Sequence, residues 1–494
     1  MVTRDAVWAQ HAAPLRVRAQ RFGRSTLRPY RFGQSTLRPN GFGRSTLRPY
    51  GPEMNSFIIK NATVLTMDAE HRRLDGIDVL VEDGRITQLG SVKRTDLDLV
   101  DATDCVLLPG FVQPHLHLCQ TLFRNLADDL VLIDWLKTRI WPFEAAHNPA
   151  SLRASAELGI AELIRSGTTC VLDMGTVNHT DAIGRAVQDS GLRATIGKCL
   201  MDHGDEVPAA MLEDRGLSLA ESDALFTRWN GAADGRIRYA FTPRFVHSCT
   251  EGLLVEAAQL ARDRGAILHT HSSETRFEIA ETLRLHGQRN VEYLHACGLT
   301  GPRSVFAHGV WLDDAERQLL SETQTRVVHC PSSNLKLGSG IADILALWAA
   351  GVEVGLASDG APCNNTLDAQ SEMRLAALIQ KSLHGPTAMP AARVLRMATI
   401  DGARVLGLDA EIGSVEVGKR ADLVMMRLNR IHNGVAGELE SRIVYASFPE
   451  NVDSVWVDGH PLLRDGVLAT LDEAKVFATA KSELQALLER VEGA

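Results

Sequence analysis

The chain has 494 residues, which is too long for one ordinary domain but fits a large barrel with a smaller second domain. Its hydrophobic fraction of 45% can fill a sizeable core, and a net charge of -9 argues against nucleic acid as the main partner. The cysteines stand singly, the N-terminus lacks an apolar signal core, and no apolar run reaches the ~18 residues of a membrane helix, so we expect a cytoplasmic protein that is not bound to a membrane.

The N-terminal segment, residues 1–53, is basic and repetitive. Residues 21–50 contain three copies of one decapeptide, of which the first reads Arg-Phe-Gly-Arg-Ser-Thr-Leu-Arg-Pro-Tyr. A ten-residue unit with Gly and Pro in each copy is too short to bury a core, so we predict disorder. The segment is either a dispensable extension, with Met54 as the true start, or a targeting or anion-binding arm.

Short β-rich runs separated by Asp-Gly and Pro-Gly turns occupy residues 54–112. The same texture returns over residues 406–470, after a long α/β body. We therefore predict a small β-sandwich domain assembled from both ends of the chain. Residues 471–494 have the pattern of a terminal amphipathic helix.

Residues 113–405 alternate strand-like runs with helical patterns, which predicts an α/β fold. The eight strand-like runs begin at Gly110, Thr169, Ala194, Ile237, Ala266, Ser304, Thr325 and Val352. Eight such units indicate a (β/α)8 barrel, whose active site lies at the carboxyl ends of the strands. A doubly wound open sheet would need a Gly-rich phosphate loop after its first strand, and the sequence has none there.

Histidines and an aspartate stand at predicted strand ends and suit a metal site. His115 and His117 are two apart on the first strand, so their side chains share a face and can chelate one ion. His271 ends the fifth strand and Asp359 ends the eighth. His269 is a competitor for the third ligand position, but it lies farther from the strand end, and we expect a hydrogen-bonded core histidine there.

Two further side chains suit the chemistry of a metal-activated water. Glu274, three residues after His271, is a candidate proton shuttle, and His308 at the end of the sixth strand could bind the metal or orient the attacking hydroxide. A second metal usually needs a bridging anion such as a carboxylated lysine. The fourth strand ends in Thr-Pro-Arg244 without a lysine, so we predict one metal ion.

These motifs together resemble the amidohydrolase superfamily over residues 56–465, and they are most similar to its metal-dependent aminohydrolases. That group includes the methylthioadenosine/S-adenosylhomocysteine and 5'-deoxyadenosine deaminases, guanine deaminase and the s-triazine hydrolases. The resemblance implies that one zinc, or iron in some members, is bound by His115, His117, His271 and Asp359. Glu274 would protonate a ring nitrogen of the substrate, and His308 would hydrogen-bond the metal-bound hydroxide whose attack releases ammonia.

The substrate is implied by the same resemblance. Trp135 and Glu144 match a loop in which methylthioadenosine-type deaminases hold the ribose hydroxyls with an acid, and Arg236 matches an arginine near the substrate tail. The leading prediction is therefore a zinc-dependent hydrolytic deaminase of an adenosine-type nucleoside, 5'-deoxyadenosine or a 5'-modified adenosine. Relatives of this kind also imply a homo-oligomer.

Two departures keep other substrates open. Arg244 stands in a tripeptide similar to that of guanine deaminase, whose arginine contacts the purine carbonyl, and Cys363 replaces a serine that is common in the deaminases. The alternatives are a deaminase of guanine or another free amino-heterocycle, and an s-triazine hydrolase. A non-catalytic binding module would need a broken metal set, and no predicted ligand is missing.

Overall fold

The computed structural model describes residues 56–493. The basic repeat segment predicted to be disordered, residues 1–53, lies outside this range. Within it, no helix is both long enough and apolar enough to cross a membrane.

The strands of the described chain form two separate sheets. In chain order they are β1 (Phe57–Leu65), β2 (Arg73–Glu82), β3 (Arg85–Gly90), β4 (Asp98–Asp101), β5 (Cys105–Pro109), β6 (Phe111–Leu116), β7 (Thr168–Met174), β8 (Arg193–Gly197), β9 (Cys199–Leu200), β10 (Ile237–Pro243), β11 (Ile267–Ser272), β12 (Ser304–His308), β13 (Arg326–His329), β14 (Val354–Leu356), β15 (Leu423–Arg427), β16 (Val452–Val457), β17 (His460–Arg464) and β18 (Val467–Leu468).

Helices connect most of the strands of the central region. They are α1 (Leu132–Trp135), α2 (Trp141–Ala145), α3 (Pro149–Arg165), α4 (Thr180–Ser190), α5 (Arg215–Trp229), α6 (Glu251–Arg264), α7 (Arg276–His286), α8 (Asn290–Ala296), α9 (Asp314–Glu322), α10 (Pro331–Lys336), α11 (Ile344–Ala349), α12 (Ala361–Asn364), α13 (Ala369–His384), α14 (Ala391–Met397), α15 (Ile400–Val405), α16 (Leu439–Ala446) and α17 (Glu473–Glu492).

The central sheet is a parallel barrel with the strand order β14-β13-β12-β11-β10-β8-β7-β6. Its two end strands meet closely, since a Cβ placed on Gly355 of β14 would lie 2.8 Å from Cγ of Pro114 on β6. Proline has no backbone N–H group, so Pro114 cannot donate a backbone hydrogen bond between these two strands. The Gln113 side chain crosses this seam instead, accepting from Ser358 N at 2.9 Å and donating to Leu367 O at 2.9 Å. The predicted (β/α)8 barrel is confirmed.

The second sheet combines strands from both ends of the chain, as predicted. Its order is β18-β17-β16-β15-β5-β1-β2-β3, with β4 beside β1. The late strand β15 pairs antiparallel with the early strand β5. One residue, Gly110, separates β5 from the first barrel strand β6, so the strand that carries the predicted ligand His115 follows directly from this sheet.

Local sequence explains how one barrel strand is aligned for the site. The helix α6 begins at Thr250, whose hydroxyl accepts from Leu253 N at 3.3 Å, and it ends at Gly265, which has a φ of 62°. Hydroxyl N-caps and left-handed glycine C-caps are favoured helix boundaries. The turn at Gly265 starts β11 two residues later, which brings His271 to the carboxyl end of that strand.

The C-terminal helix α17 packs against the region that borders the carboxyl end of the barrel. Its Leu487 is fully buried in an apolar cluster with Trp135, Trp141 and Phe143. Arg490 of the same helix donates from Nε to Ala146 O at 2.7 Å. We call residues 132–145, from α1 to α2, the wall segment; α17 supports it from outside.

Candidate active site

The predicted ligands converge at the carboxyl end of the barrel. His115 lies on β6 and His117 directly follows it, His271 lies on β11, and Asp359 lies three residues after β14. Asp359 Oδ1 lies 3.2 Å from His115 Nε2 and 3.4 Å from His117 Nε2. His117 Nε2 lies 3.2 Å from His271 Nε2. Four side chains that are distant in sequence therefore point their donor atoms at one small volume.

The outer hydrogen bonds of two of these histidines determine which ring nitrogen carries the proton. His117 Nδ1 lies 2.7 Å from Met174 O, and His271 Nδ1 lies 2.7 Å from Arg244 O. Because a carbonyl oxygen only accepts, both Nδ1 atoms must donate, and both Nε2 atoms carry lone pairs when the rings are neutral. Two lone pairs 3.2 Å apart cannot bond to each other, but both can bind one cation.

His115 is oriented through a second histidine. His269 Nδ1 donates to Val305 O at 2.8 Å, so its Nε2 is an acceptor, and it lies 2.8 Å from His115 Nδ1. His115 must therefore donate from Nδ1, and its buried Nε2 makes no hydrogen bond within the described chain. His269 is a hydrogen-bonded core residue that orients a ligand, in agreement with the sequence interpretation.

The electrostatics of these side chains fit a divalent cation. Burial lowers the pKa of His117 to about 4. It also lowers the pKa of His115 and of His271, so the neutral form of each ring is favoured. Burial alone would raise the pKa of Asp359, but the neighbouring His115 and His117 hold it well below its usual range. Three neutral imidazoles and one carboxylate are a ligand set for zinc or iron.

Glu274 and His308 stand beside this ligand set. His308 Nε2 lies 3.6 Å from Glu274 Oε2 and 4.0 Å from Asp359 Oδ2, while its Nδ1 donates to Asn334 Oδ1 at 2.9 Å. Ser339 Oγ donates to Glu274 Oε1 at 2.9 Å. Burial raises the pKa of Glu274, which helps this acid to hold a proton.

Two of the predicted side chains occupy an uncommon backbone conformation. His308 has a φ of 76° and Asp359 a φ of 63°, both in the left-handed region. Non-glycine residues pay a conformational cost there, and such positions cluster at functional sites. His308 is the last residue of β12, and Asp359 lies three residues after β14, so both left-handed residues stand where the chain leaves the barrel.

Sequence reasoning assigned no role to three side chains that orient the site. Ser333 Oγ donates to Asp359 Oδ2 at 2.6 Å, and Asn334 and Ser339 hold His308 and Glu274 as described above. All three follow β13, within or next to the stretch that starts His329-Cys-Pro-Ser-Ser-Asn. In the sequence, the signal that could have indicated this orienting role is the group of small polar residues after the strand end.

A pocket opens above the ligand set. Its floor includes His117, His271 and Asp359, and Glu274, Arg244 and Gln120 border it. The outer part is apolar and is lined by Leu132, Ile133, Trp135 and Leu136 of the wall segment and by Phe245, Phe277 and Leu337. Of the five predicted substrate-binding residues, Trp135 and Arg244 line this pocket.

The structure does not bring Arg236 and Cys363 into the pocket lining. Arg236 precedes β10 and donates to Leu192 O at 2.7 Å and Val187 O at 3.2 Å. It therefore lies at the amino end of the strand, about 25 Å of extended chain away from Arg244 at the carboxyl end. Cys363 is buried, and its Sγ donates to Gly360 O at 3.1 Å. Neither side chain is therefore among those that line this pocket.

Glu144 is near the pocket but behind its lining. Its carboxylate forms a two-point ion pair with Arg244, with Nη1 to Oε2 at 2.8 Å and Nη2 to Oε1 at 3.2 Å. Gln120 Nε2 donates to Oε1 at 2.8 Å. Burial alone would raise the pKa of Glu144, but the charge of Arg244 outweighs this effect and lowers it, so the carboxylate stays ionised.

Comparison with known proteins identifies the family. A sequence model of the amidohydrolase family matches residues 106–462, which cover the barrel and, in the second sheet, β15, β16 and nearly all of β5. The chain belongs to the amidohydrolase family. The resemblance predicted from the ligand motifs is thereby confirmed, and this amidohydrolase is a hydrolytic aminohydrolase that acts on carbon–nitrogen bonds.

Individual relatives of the amidohydrolase are similar over nearly their whole length. It is 42% identical to a 5'-deoxyadenosine deaminase of Methanothermobacter thermautotrophicus, over 85% of this chain and 98% of the relative. It is 36% identical to a 5-methylthioadenosine/S-adenosylhomocysteine deaminase of Bacillus thuringiensis, over 85% of this chain and 97% of the relative. A crystal structure of an adenosine deaminase from Xanthomonas campestris with bound zinc superimposes with a TM-score of 0.83 at 33% identity, covering 88% of this chain and 98% of that one.

Proposed function

We propose that this amidohydrolase is a zinc-dependent deaminase of an adenosine-type nucleoside, 5'-deoxyadenosine or a 5'-modified adenosine. The observation that carries the chemistry is the convergence of three imidazole Nε2 lone pairs and one carboxylate oxygen at the barrel mouth. The choice of substrate is supported by the names of the relatives at 36% and 42% identity. The choice of zinc is supported by the nitrogen-rich ligand set and by the zinc-bound relative.

Named residues of this chain would perform the remaining steps. His115, His117, His271 and Asp359 hold the metal, which when bound supplies Lewis-acid activation of the attacking water. Glu274 delivers a proton to the ring nitrogen next to the amino-bearing carbon, which its raised pKa favours. His308, whose Nδ1 donates to Asn334, donates from Nε2 toward the oxygen that attacks this carbon when its ring carries both protons. Burial opposes that state, but the carboxylates of Glu274 and Asp359 outweigh this effect and raise the pKa of His308. Ammonia is the leaving group.

The apolar outer pocket supports a nucleoside that lacks a polar 5' group. The amino-bearing carbon of the purine must reach the ligand set on the floor, so the sugar lies toward the mouth. The lining there includes Leu132 and Ile133 of the wall segment and Phe277, which is 54% exposed. A 5'-methyl or 5'-thioether group gains apolar contact at this wall, while a 5'-hydroxyl would lose hydration.

The test is a deamination assay on the zinc-loaded protein. With 5'-deoxyadenosine we expect ammonia release and an ultraviolet shift to the inosine analogue. Glu274→Gln should retain its metal but lower kcat by about 10²- to 10⁴-fold, the usual loss for a general acid. A zinc-loaded protein that leaves 5'-deoxyadenosine and methylthioadenosine unchanged would contradict the proposed substrate.

A second candidate, a deaminase of guanine or another free amino-heterocycle, is favoured by one observation. Arg244 borders the pocket, and the carboxylate of Glu144 is paired with it. Arginine donates only, which suits a carbonyl oxygen of a heterocycle. Turnover of guanine without turnover of any adenosine would select this candidate, and a triazine in the same panel tests the third alternative.

The remaining predictions concern cell location and assembly. All eight cysteines are buried and free, which supports the proposed cytoplasmic location. The homo-oligomer expected from the family resemblance stays a prediction, which light scattering on the purified protein would check.

A further inference from the structure

A second buried acid, Glu278, stands beside the predicted proton shuttle Glu274. It borders the same pocket, is 4% exposed and lies in the first turn of α7. Sequence reasoning assigned no role to it. Burial raises the pKa of Glu278 to about 7. A buried acid is therefore an unfavourable choice at this place unless both of its oxygens are needed.

Both oxygens of Glu278 accept hydrogen bonds from fixed donors. Oε2 accepts from the backbone N–H of Glu274 at 2.7 Å, and Oε1 accepts from Asn290 Nδ2 at 2.8 Å. Asn290 is in turn oriented by Ser272, whose hydroxyl donates to Asn290 Oδ1 at 2.8 Å. Glu278 is thus connected directly to Glu274 and, through Asn290, to the residue two positions before Glu274.

The residue between these two attachment points has an uncommon backbone conformation. Ser273 has a φ of 55°, which lies in the left-handed region and costs a non-glycine residue conformational energy. This turn leads the chain from β11 toward α7, so it determines where the side chain of Glu274 begins. The hydrogen bonds from Glu274 N to Glu278 and from Ser272 Oγ to Asn290 hold the turn from both sides.

Glu278 also departs from the usual pattern at the start of a helix. Thr275 is the N-cap of α7, and its hydroxyl accepts from Glu278 N at 3.2 Å. In a capping box the acid at this position bonds back to the N–H of the capping residue itself. Here the carboxylate reaches one residue further, to the N–H of Glu274. The longer reach indicates a role at Glu274 rather than at the helix end.

We propose that Glu278 is a positioning residue, which holds the backbone of Glu274, directly and through Asn290 and Ser272, so that the Glu274 carboxyl stands where it can protonate the substrate. This inference rests on the proposed function, in which Glu274 is the proton donor, and deepens it. Glu278 then acts on the reaction only through Glu274, without touching the substrate.

One substitution disturbs the proposed contacts and a second restores them. Glu278→Gln leaves a single acceptor oxygen for two donors, so its NH2 group must face either Glu274 N or the amide of Asn290. Adding Asn290→Asp turns that second donor into an acceptor. The glutamine oxygen can then face Glu274 N, its NH2 group faces the new carboxylate, and Ser272 still finds an acceptor.

The experiment measures kcat, KM and metal content of the zinc-loaded proteins at about pH 8, where Glu278 is mostly ionised. The substrate is 5'-deoxyadenosine, or guanine if the wild type prefers it. Glu278→Gln should lower kcat by about 10- to 100-fold at nearly unchanged KM and metal content, the effect of a small misplacement of a catalytic group. Glu278→Gln with Asn290→Asp should recover kcat to within about threefold of the wild type, because the two side chains are in contact.

A double-mutant cycle separates positioning from direct action on the substrate. If Glu278 acts only through Glu274, then Glu274→Gln already removes the group that Glu278 positions. Adding Glu278→Gln to Glu274→Gln should therefore lower kcat by less than about threefold, whereas independent effects would multiply.

Asp422→Asn is the matched control for a loss of stability. Asp422 is a comparably buried acid that accepts from a backbone N–H, that of Asp458, at 2.9 Å, and it lies near the amino end of the barrel. Asp422→Asn should lower the unfolding temperature and keep the wild-type kcat, so destabilisation alone does not imitate the effect of Glu278→Gln.

Failure of the inference and failure of the proposed function give different results. Three results overturn the positioning role while the proposed function stands: a wild-type kcat in Glu278→Gln, no recovery when Asn290→Asp is added, or losses that multiply with Glu274→Gln. A zinc-loaded wild type that turns over neither the adenosine-type nucleosides nor a free amino-heterocycle overturns the proposed function, and the role of Glu278 with it.

Discussion

Hydrogen-bond direction at single residues determines how this site can bind a metal. His117 and His271 donate from Nδ1 to backbone carbonyls, and His115 donates from Nδ1 to His269. The Nε2 lone pairs of His115 and His117 are thereby turned toward Asp359, and His271 Nε2 lies beside His117 Nε2. Side chains that are already held in place lose little conformational freedom when they bind a metal. The groups that hydrogen-bond to them are therefore an essential part of a metal site.

Removing one ligand should remove the metal. We expect His117→Asn to fall from one metal ion per chain to well below that value after dialysis, measured by elemental analysis. His147→Gln is the matched control, because His147 is equally buried but bonds to Cys119 O and Ser151 Oγ. Full metal content in His117→Asn would contradict the proposed ligand set.

His147, the control residue above, should make the stability of the folded protein depend on pH. Burial lowers the pKa of His147 to about 4 from its ordinary value of 6.5. The unfolded chain therefore takes up a proton as the pH falls below 6.5, while the folded chain does not until about pH 4, and the folded state loses stability across this window. Above 6.5 neither state is protonated, and the stability is fully present.

This loss is measured by urea unfolding of the metal-free protein. Between about pH 7 and about pH 4.5 the wild type should lose about 2 kcal/mol more than His147→Gln, in which this titration is absent. Equal losses in both proteins would show that His147 does not couple to folding.

At the scale of elements, the pocket wall depends on a helix far away in sequence. The wall segment consists of two very short helices, α1 and α2, joined by a π-helical turn over Leu136–Ile140. Such short pieces have little stability of their own. The long helix α17 supplies the missing packing through Leu487 and a hydrogen bond from Arg490 to Ala146 O.

Truncating that contact should loosen the wall. Leu487→Ala is expected to cost about 2 to 4 kcal/mol of unfolding free energy, the usual loss for a fully buried leucine. It should also raise KM, because the wall segment lines the pocket. Phe477→Ala on the same helix removes a side chain that is 66% exposed and should change stability by less than about 0.5 kcal/mol. Chemical unfolding and steady-state kinetics of the two variants provide the comparison.

At the scale of the whole molecule, buried charges join the barrel to the second sheet. Arg193, at the start of β8, binds Asp422 at 2.7 and 3.0 Å and Asp458 at 2.6 Å. Asp422 immediately precedes β15, and Asp458 lies between β16 and β17. The amino end of the barrel is thus tied to the sheet, while the opposite, carboxyl end carries the site.

Breaking this connection should affect stability and spare the chemistry. We expect Asp422→Asn to lower the free energy of unfolding by about 3 to 5 kcal/mol, because it leaves Arg193 buried with one charge partner fewer. The kcat at a temperature below the transition should stay near the wild-type value. A calorimetric scan with an activity assay on the same sample checks both expectations, and unchanged stability would contradict this role of the pair.

The sequence by itself determined the fold class and the identity of the candidate ligands. Alternation of strand-like and helical runs is a local property, and so is the position of His115, His117, His271 and Asp359 at strand ends. Because a barrel brings all strand ends to one mouth, these local positions were sufficient to predict a shared site.

Only the tertiary structure decided which side chain contacts which. Glu144 and Arg244 are 100 residues apart and pair behind the pocket, whereas Arg236 lies at the amino end of its strand, away from the site. Residue spacing carries no information about such contacts. A long polar side chain bonds to whichever partners the packed fold brings within about 3 Å, and these come from distant parts of the chain.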